Sequence, residues 1–428
     1  MMHAEQIEQT NQQRADVHQR NLGHLTDLLS QAGRDPDVLM KKIAAFEVAV
    51  PSWALGTGGT RFGRFPGQGE PRDVYEKFED IALIHQLTTS TPRVSLHIPW
   101  DEPDDATALK AHADDLGLGF DAVNSNTFQD QAGQAYSYKF GSLCHTEADV
   151  REQAIAHHRH VIEVGQAVGS EALTVWLADG SNYPGQMHLR KSFERTRESL
   201  QAVYAALPDG WRLFTEHKPY EPGFYATVVQ DWGSSLMLAE ALGERAACLV
   251  DLGHHLPNTN VELVVARLVT AGRLGGFHFN DSKYGDDDLT AGSIKPYQLF
   301  LVFNELVDAA RDAPAGSFRP AYMIDQSHNL KDPIEALLMT VENLQQAYAK
   351  ALLVDRAALD HYQETNDVLM AEQTLKAAYE TDVRPLVAEV RKRRGGALDP
   401  VAAFRASSYR AAKAGERAAT AYAPPSSL

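Results

Sequence analysis

The sequence of 428 residues contains only two cysteines, Cys144 and Cys248. Two cysteines are too few for a disulfide-stabilised scaffold, which is typical of a protein from a reducing compartment. No apolar run approaches the ~18 residues that a membrane helix needs, and the N-terminal segment lacks the apolar core of a signal peptide. We therefore expect a cytoplasmic, soluble protein with no membrane partner.

Positive charge is also scarce, since 40 Lys and Arg stand against 57 Asp and Glu, for a formal net charge of −17. A chain of this sign repels phosphate backbones and anionic lipid surfaces, so nucleic acid is not an expected partner. The one basic run, Arg391–Arg394, is interpreted as a solvated helix end. What the chain does have is a hydrophobic fraction of 44%, typical of a globular protein, and 17 histidines.

Short apolar or β-branched runs alternate with longer amphipathic ones along most of the chain. Eight runs predict strands that are buried on both faces, as in a parallel sheet: Phe46–Val50, Arg93–Ile98, Phe120–Asn124, Ala172–Leu177, Arg212–Glu216, Ala247–Asp251, Gly275–Phe279 and Ala321–Asp325. Seven segments between and after them predict helices: Val74–Leu87, Thr146–Val168, Arg190–Leu207, Trp232–Leu242, Val261–Ala271, Pro296–Ala310 and Pro333–Leu353.

Eight strand and helix units favour a (β/α)8 TIM barrel over an open, doubly wound sheet. We expect the barrel to span residues 46–355, after a helical segment over residues 1–45. Residues 356–428 predict a helical C-terminal arm, which we expect to make contacts between subunits. The Gly-rich stretch Gly56–Gly69 is either a long loop or a flap over a site, because its aromatic residues are unusual in a plain linker.

Carboxylates and imidazoles gather where the later strands are predicted to end. The C-terminal ends of barrel strands form the catalytic face of this fold. Four such residues, Glu216, Asp251, His278 and Asp325, lie at the ends of four consecutive predicted strands. Buried carboxylates are costly unless they are paired or bind a cation, so this set predicts a metal site.

Three carboxylates and one imidazole form an oxygen-rich site that suits Mn²⁺, Mg²⁺ or Co²⁺ better than a structural zinc. A second group, His254, Asp286 and Asp288, lies one turn or one loop away, and Glu216 is placed to bridge the two groups. Two divalent cations are therefore expected, a recurrent arrangement for activating water and polarising oxygens. The acidic run 286–288 alone could also be a solvated loop.

Six segments together resemble the L-rhamnose isomerase family, in its bacterial branch with relaxed sugar specificity. They read PSWALGTGGTRFGRFPG, VSLHIPWD, FTEHKPYEP, VDLGHH, GGFHFNDSKYGDDD and MIDQSHN. The resemblance covers nearly the whole chain and is densest from Phe214 to Asn329. It implies a (β/α)8 barrel, a two-metal centre usually served by Mn²⁺, with Co²⁺, Mg²⁺ or Zn²⁺ as alternatives, and a homotetramer.

Position by position, the resemblance implies two sets of metal ligands. A structural metal would be held by Glu216, Asp251, His278 and Asp325. A catalytic metal would be held by His254, Asp286 and Asp288, with Glu216 bridging the two metals. The resemblance also implies sugar-lining roles for five residues: His97, Trp176, Lys218, Trp53 and Phe62. Of these, Phe62 is expected to reach in from a neighbouring subunit.

The implied reaction interconverts L-rhamnose and L-rhamnulose, and other aldose–ketose pairs such as D-allose and D-psicose. His254, Asp286 and Glu216 are the expected catalytic residues, with a proton shuttled between the sugar oxygens O1 and O2. The hydrogen on carbon moves either as a hydride or through an enediol. Three other functions remain: a sugar isomerase with another main substrate, a metal-dependent phosphodiesterase or endonuclease on the same barrel, and a non-catalytic sugar- or metal-binding barrel.

Overall fold

The computed structural model describes residues 1–55, 67–220, 225–314, 316–327 and 330–417. Its strands are β1 (Val50–Pro51), β2 (Arg93–Ser95), β3 (His97–Ile98), β4 (Gly119–Phe120), β5 (Val123–Ser125), β6 (Ala172–Trp176), β7 (Gly180–Ser181), β8 (Arg212–Glu216), β9 (Ala226–Thr227), β10 (Ala246–Asp251), β11 (Leu274–Phe279) and β12 (Ala321–Ile324).

The helices around and beyond the strands are α1 (Ala4–Gln31), α2 (Pro36–Ala44), the 3-10 turn Ser52–Ala54, α3 (Val74–Thr88), α4 (Ala106–Asp115), α5 (Ala148–Val168), α6 (Leu189–Ala205), α7 (Trp232–Leu242), α8 (Val261–Thr270), α9 (Pro296–Asp312), α10 (Pro333–Leu352), α11 (Arg356–Glu364), α12 (Val368–Glu380), α13 (Arg384–Arg393), α14 (Pro400–Ala406) and α15 (Tyr409–Glu416).

Parallel strands curl into a barrel. Seven of them pair in the order β12-β11-β10-β8-β6-β5-β3, and β1, β2 and β4 form a second parallel ladder. The ring closes beside β1, where Ala49 bridges Met323 of β12 in parallel register. The predicted TIM barrel is therefore confirmed, with the second and third barrel positions each split into two short strands.

One barrel helix, α4, was not predicted from the sequence. Only Leu109 and Ala113 of its ten residues are buried, so its apolar period is too sparse to stand out. Its start is set locally, because the Asp105 side chain accepts hydrogen bonds from the backbone N–H groups of Thr107 and Ala108.

Strand alternation decides which side chains reach the interior of the barrel. Along β8, Leu213 packs in the outer core between strands and helices, whereas Phe214 belongs to a small separate cluster with Ala122, Ala247 and Leu249. Because side chains alternate across a strand, Glu216 points inward like Phe214. Phe214 fills the lumen closely enough that a Cβ at Gly275 would lie 2.7 Å from its ring.

The helices at the two ends of the chain pack on each other. His18 of α1 lies 2.8 Å from the Glu389 carboxylate of α13, and Asn11 accepts a hydrogen bond of 2.7 Å from the backbone N–H of Leu398. The expectation of a solvated basic run is wrong for Arg391, which is buried and donates to the carbonyls of Ala397 and Leu398. In the described part of the chain, no helix combines the length and apolarity that crossing a membrane requires.

Candidate metal centre

Four inward-facing side chains meet at the C-terminal end of the barrel. Glu216 ends β8, Asp251 ends β10, His278 lies in β11 and Asp325 directly follows β12. Each offers a ligand atom within 4.8 Å of the others'. His278 Nδ1 lies 3.2 Å from Glu216 Oε1, 3.3 Å from Asp325 Oδ2 and 3.7 Å from Asp251 Oδ2. The structure therefore brings together all four residues that the sequence placed in the first group.

A second group of possible ligands lies beside the first and shares Asp251 with it. Asp251, His254 and Asp286 have ligand atoms within 4.8 Å of one another. His254 stands between two carboxylates, with Nδ1 at 3.1 Å from Glu216 Oε1 and Nε2 at 3.4 Å from Asp286 Oδ1. Glu216 thus contacts the histidine of each group.

Asp288 is not part of either group among the described residues. Its Oδ2 accepts a hydrogen bond of 2.7 Å from the Ser327 hydroxyl. Its backbone lies in the left-handed region, with φ at +49°. The direction of the Asp288 side chain is therefore set by an irregular loop backbone and not by a regular strand.

The charges of the cluster perturb one another strongly. Burial raises the pKa of Glu216, but the His278 and His254 imidazoles outweigh burial and hold it well below its usual range. Burial lowers the pKa of His278, yet Glu216 and Asp325 raise it to about 10. Burial, reinforced by the neighbouring carboxylates of Asp325 and Asp286, raises the pKa of Asp251. Without cations, protons on the imidazoles balance part of the acidic charge.

The donor set fits divalent cations. Carboxylate oxygens with imidazole nitrogens are ligands that Mn²⁺ and similar ions accept. A Cβ at Gly253 would lie 3.2 Å from each of three oxygens: Asp251 Oδ1, Asp286 Oδ1 and Asn280 Oδ1. Glycine at this position keeps open a space onto which these three oxygens converge.

Lys218 connects this space to an aromatic surface. Its Nζ lies 2.7 Å from Asp286 Oδ2 and 4.8 Å from the ring centre of Trp176. The surface, which we name the aromatic wall, comprises five rings in contact: Trp53, His97, Trp100, Phe128 and Trp176. Trp53 connects the aromatic wall to the first ligand group, because its indole N–H donates a hydrogen bond of 2.8 Å to Asp325 Oδ1.

Sequence reasoning missed Phe128 and Asn280, which both border the site. Phe128 was missed because it comes from the loop after β5, and Asn280 because it is neither acidic nor a histidine; its position directly after β11 was the available signal. His217 directly follows β8 and His255 lies four residues after β10. Their ring centres are 4.9 Å apart, and neither belongs to a ligand group among the described residues. The predicted substrate residue Phe62, and His328, lie outside the described residues.

Comparison with known proteins places the chain in a broad family. Residues 84–316 match the family described as "Xylose isomerase-like TIM barrel". A protein of Rhizobium meliloti (strain 1021), named as a probable sugar isomerase, is 59% identical over 97% of this chain and 96% of its own length. A protein of Mesorhizobium japonicum with the same type of name is 58% identical over the same shares.

Solved structures of sugar epimerases share the fold at low sequence identity. An L-ribulose 3-epimerase matches with a TM-score of 0.52 and 15% identity, over 72% of this chain and 98% of its own. A D-allulose 3-epimerase from Methylomonas sp. matches with a TM-score of 0.53 and 12% identity, over 71% of this chain and 98% of its own. These structures support the barrel architecture independently of the close relatives.

Proposed function

We infer the function from both the family and the site. The chain belongs to the xylose isomerase-like TIM barrel family. We propose that it is an aldose–ketose isomerase. The proposed main reaction interconverts L-rhamnose and L-rhamnulose, with other aldoses such as D-allose as further substrates. The observation that carries the proposal is the pair of adjoining ligand groups beside Lys218 and the aromatic wall. The names of the two close relatives, probable sugar isomerases, support the same reaction class.

The ligands of the two proposed cations are those that the sequence and its family resemblance indicated. Glu216, Asp251, His278 and Asp325 would hold the first, and His254, Asp286 and Asp288, with Glu216 bridging, the second. Mn²⁺ is the proposed metal. When bound, such a pair of cations supplies Lewis-acid stabilisation of charge that develops on sugar oxygens.

The protein's own groups then set the position of substrate and protons. Lys218 and His254 flank Asp286, and their positive charges, acting against its burial, hold the pKa of the Asp286 carboxyl well below its usual range. Asp286 therefore remains an ionised acceptor beside the sugar. His254 has Nε2 at 3.4 Å from Asp286 and Nδ1 at 3.1 Å from Glu216, so it can hold a proton on either nitrogen while hydrogen transfers between C1 and C2.

The aromatic wall suits a sugar with an apolar end. Rings such as Phe128 and Trp176, whose centres lie 4.6 Å apart, offer a surface for C–H groups rather than for hydroxyls. A 6-deoxy sugar presents a methyl group to such a surface. Apolar pockets discriminate by only ~1–3 kcal/mol per methylene, so related aldoses are expected to react more slowly rather than to be excluded.

The proposal includes an assembly and a location. We propose a cytoplasmic homotetramer in which Phe62 of one subunit reaches the site of another. Light scattering coupled to size-exclusion chromatography gives the mass of the assembly directly. A Phe62→Ala variant that remains tetrameric but shows a raised KM for L-rhamnose would support the shared site, and a monomeric wild type with full activity would contradict it.

The test of the reaction is ketose formation from L-rhamnose with added Mn²⁺, with and without chelator. Asp325→Asn keeps an acceptor for Trp53 but removes a charged ligand, so it should lose both activity and one bound metal. The matched control is Asp179→Asn, since Asp179 is also buried but accepts from the backbone N–H groups of Ser142 and Cys144. That variant should lower the melting temperature and keep the bound metal. If the wild type only epimerises ketoses at C3 and forms no ketose from an aldose, the proposed aldose–ketose isomerase activity is wrong.

A further inference from the structure

Among the described residues, Asp251 is the only one that belongs to both clusters of possible ligand atoms, although we propose it as a ligand of the first cation alone. Its carboxylate is fully buried and lies between His278 on one side and the loop of Asp286 on the other. The orientation of this carboxylate therefore affects the arrangement of ligand atoms in both groups.

The backbone of Asp251 is fixed, but its carboxylate plane needs a restraint of its own. The residue pairs with His278 in the parallel ladder between β10 and β11, and the His255 side chain hydrogen bonds to its backbone. Rotation of a carboxylate about its last bond is nevertheless broad and only weakly restricted by the chain itself. Partners outside the residue must set the plane.

Asn280 supplies that restraint. Its side-chain Nδ2 lies 2.9 Å from Asp251 Oδ1 and 3.1 Å from Asp251 Oδ2, so both carboxylate oxygens accept from one amide. The backbone N–H of Gly253 adds a bond of 2.7 Å to Oδ1. Asn280 is itself almost wholly buried, at 1% exposure, and follows β11, so its amide has little freedom.

The other end of the same amide faces the second ligand group. Asn280 Oδ1 has no hydrogen-bond partner among the described residues. It lies 3.2 Å from the position a Cβ would take at Gly253, as does Asp286 Oδ1. Leaving a buried acceptor unpaired is unfavourable, which points to a ligand in this space. The amide thus contacts the first group with its donor and borders the second with its acceptor.

We propose that Asn280 is a positioning residue of the metal centre, which sets the plane of the Asp251 carboxylate and thereby controls cation binding at both groups. The inference rests on the proposed two-metal function but concerns a residue outside both ligand groups. Loss of hydrogen-bonding partners of metal ligands typically weakens metal binding about 10- to 100-fold. A ligand variant such as Asp325→Asn should weaken one site, whereas Asn280→Ala should weaken two.

The experiment is a Mn²⁺ titration of the metal-free protein, with free Mn²⁺ followed by electron paramagnetic resonance and no sugar present. Wild type should bind two equivalents, and Asn280→Ala should bind both about 10- to 100-fold more weakly. Asn304→Ala is the matched control, because Asn304 is also buried and donates to a carboxylate, Glu305, in α9. Its affinities should equal those of wild type.

Asn280→Asp provides a second variant of nearly the same shape, which replaces the donor by a negative charge and should weaken both sites at least as much. Wild-type affinity in either folded Asn280 variant, or weakening of one site alone, would overturn the role of Asn280. A wild type that binds no Mn²⁺ would overturn both this inference and the two-metal proposal. A wild type that binds two equivalents of Mn²⁺ but does not isomerise sugars would contradict the proposed isomerase activity and leave the role of Asn280 unaffected.

Discussion

Lys218 and Asp286 form a buried ion pair, with Nζ 2.7 Å from Oδ2 and side-chain exposures of only 3% and 7%. The two residues come from different parts of the barrel mouth, since Lys218 follows β8 and Asp286 lies in the loop after β11. Because the same ammonium group lies over Trp176, one side chain links the acidic loop to the aromatic wall.

Replacing Lys218 by Met should impair catalysis without removing metal. The variant keeps the apolar stem over Trp176 but leaves Asp286 without its hydrogen-bonded cation. A charge-assisted hydrogen bond contributes about 1.5–3 kcal/mol, so kcat/KM for L-rhamnose should fall about 10- to 100-fold. Steady-state kinetics and metal analysis of the same sample check both parts. Loss of a metal equivalent would show that Lys218 supports the ligands rather than the sugar.

A methyl group at position 253 should disturb the centre with little effect on the fold. In Gly253→Ala the new Cβ would lie 3.2 Å from oxygens of Asp251, Asp286 and Asn280, so these oxygens must retreat by a few tenths of an ångström. We expect weaker Mn²⁺ binding and a nearly unchanged melting temperature without metal. Gly233→Ala is a suitable control, because a Cβ there would meet a single oxygen, Oδ1 of the half-buried N-cap residue Asp231 of α7, at 3.3 Å. Unchanged Mn²⁺ affinity in Gly253→Ala would mean that bound Mn²⁺ does not depend on the space beside Gly253.

The metal-free protein should lose stability as the pH rises. The pKa of His278 is raised from its usual 6.5 to about 10, so the stabilisation that its proton provides is complete below pH 6.5 and disappears as the pH approaches 10. His254, with its pKa also raised, acts in the same direction. We expect the melting temperature of chelator-treated protein to fall between pH 6.5 and 10.

Added Mn²⁺ should reverse this trend, because cations replace the protons that the imidazoles lose. Melting curves with Mn²⁺ should therefore be flatter across the same pH range, and Mn²⁺ binding at pH 7 should release protons. Calorimetric titrations in two buffers of different ionisation enthalpy measure that release. Metal binding without proton release would contradict the assignment of His278 and His254 as ligands.

Truncating Phe128 should reduce the preference for a 6-deoxy sugar. Phe128→Ala removes the ring that joins His97 to Trp176, and with it apolar contact for a methyl group. The ratio of kcat/KM for L-rhamnose over L-mannose, which carries a hydroxyl on C6, should fall about fivefold or more, as expected for about 1 kcal/mol or more of lost methyl contact. An equal loss for both sugars would place the C6 end of the substrate away from Phe128.

The barrel and the first ligand group were predictable from the sequence because both depend on regular alternation. Inward-facing positions follow from the period of two along each strand, and the last inward position of β8 or β10 necessarily lies at the mouth. Glu216 and Asp251 occupy such positions. Because β8 and β10 are neighbours in the barrel, the two residues can be predicted to lie next to each other even when the loop conformations are unknown.

The remainder of the site depends on irregular backbone, which has no period to follow. Asp288 takes a left-handed conformation and bonds to Ser327, whereas Asp286, two residues earlier, reaches His254 and Lys218. The three consecutive acids look alike in sequence, and only the loop conformation distinguishes them. Phe128 joins the wall across a long loop for the same reason.

Phe214 closes the floor of the barrel beneath the ligands, and this has a kinetic consequence. Its ring lies against Gly275 and packs with Ala122, Ala247 and Leu249, so apolar side chains fill this part of the lumen. We therefore expect substrate and product to use the same opening, at the end of the barrel where the ligands lie, so that a ketose departs before another aldose enters. Inhibition by added product should accordingly be purely competitive with substrate, raising the apparent KM and leaving the maximal rate unchanged.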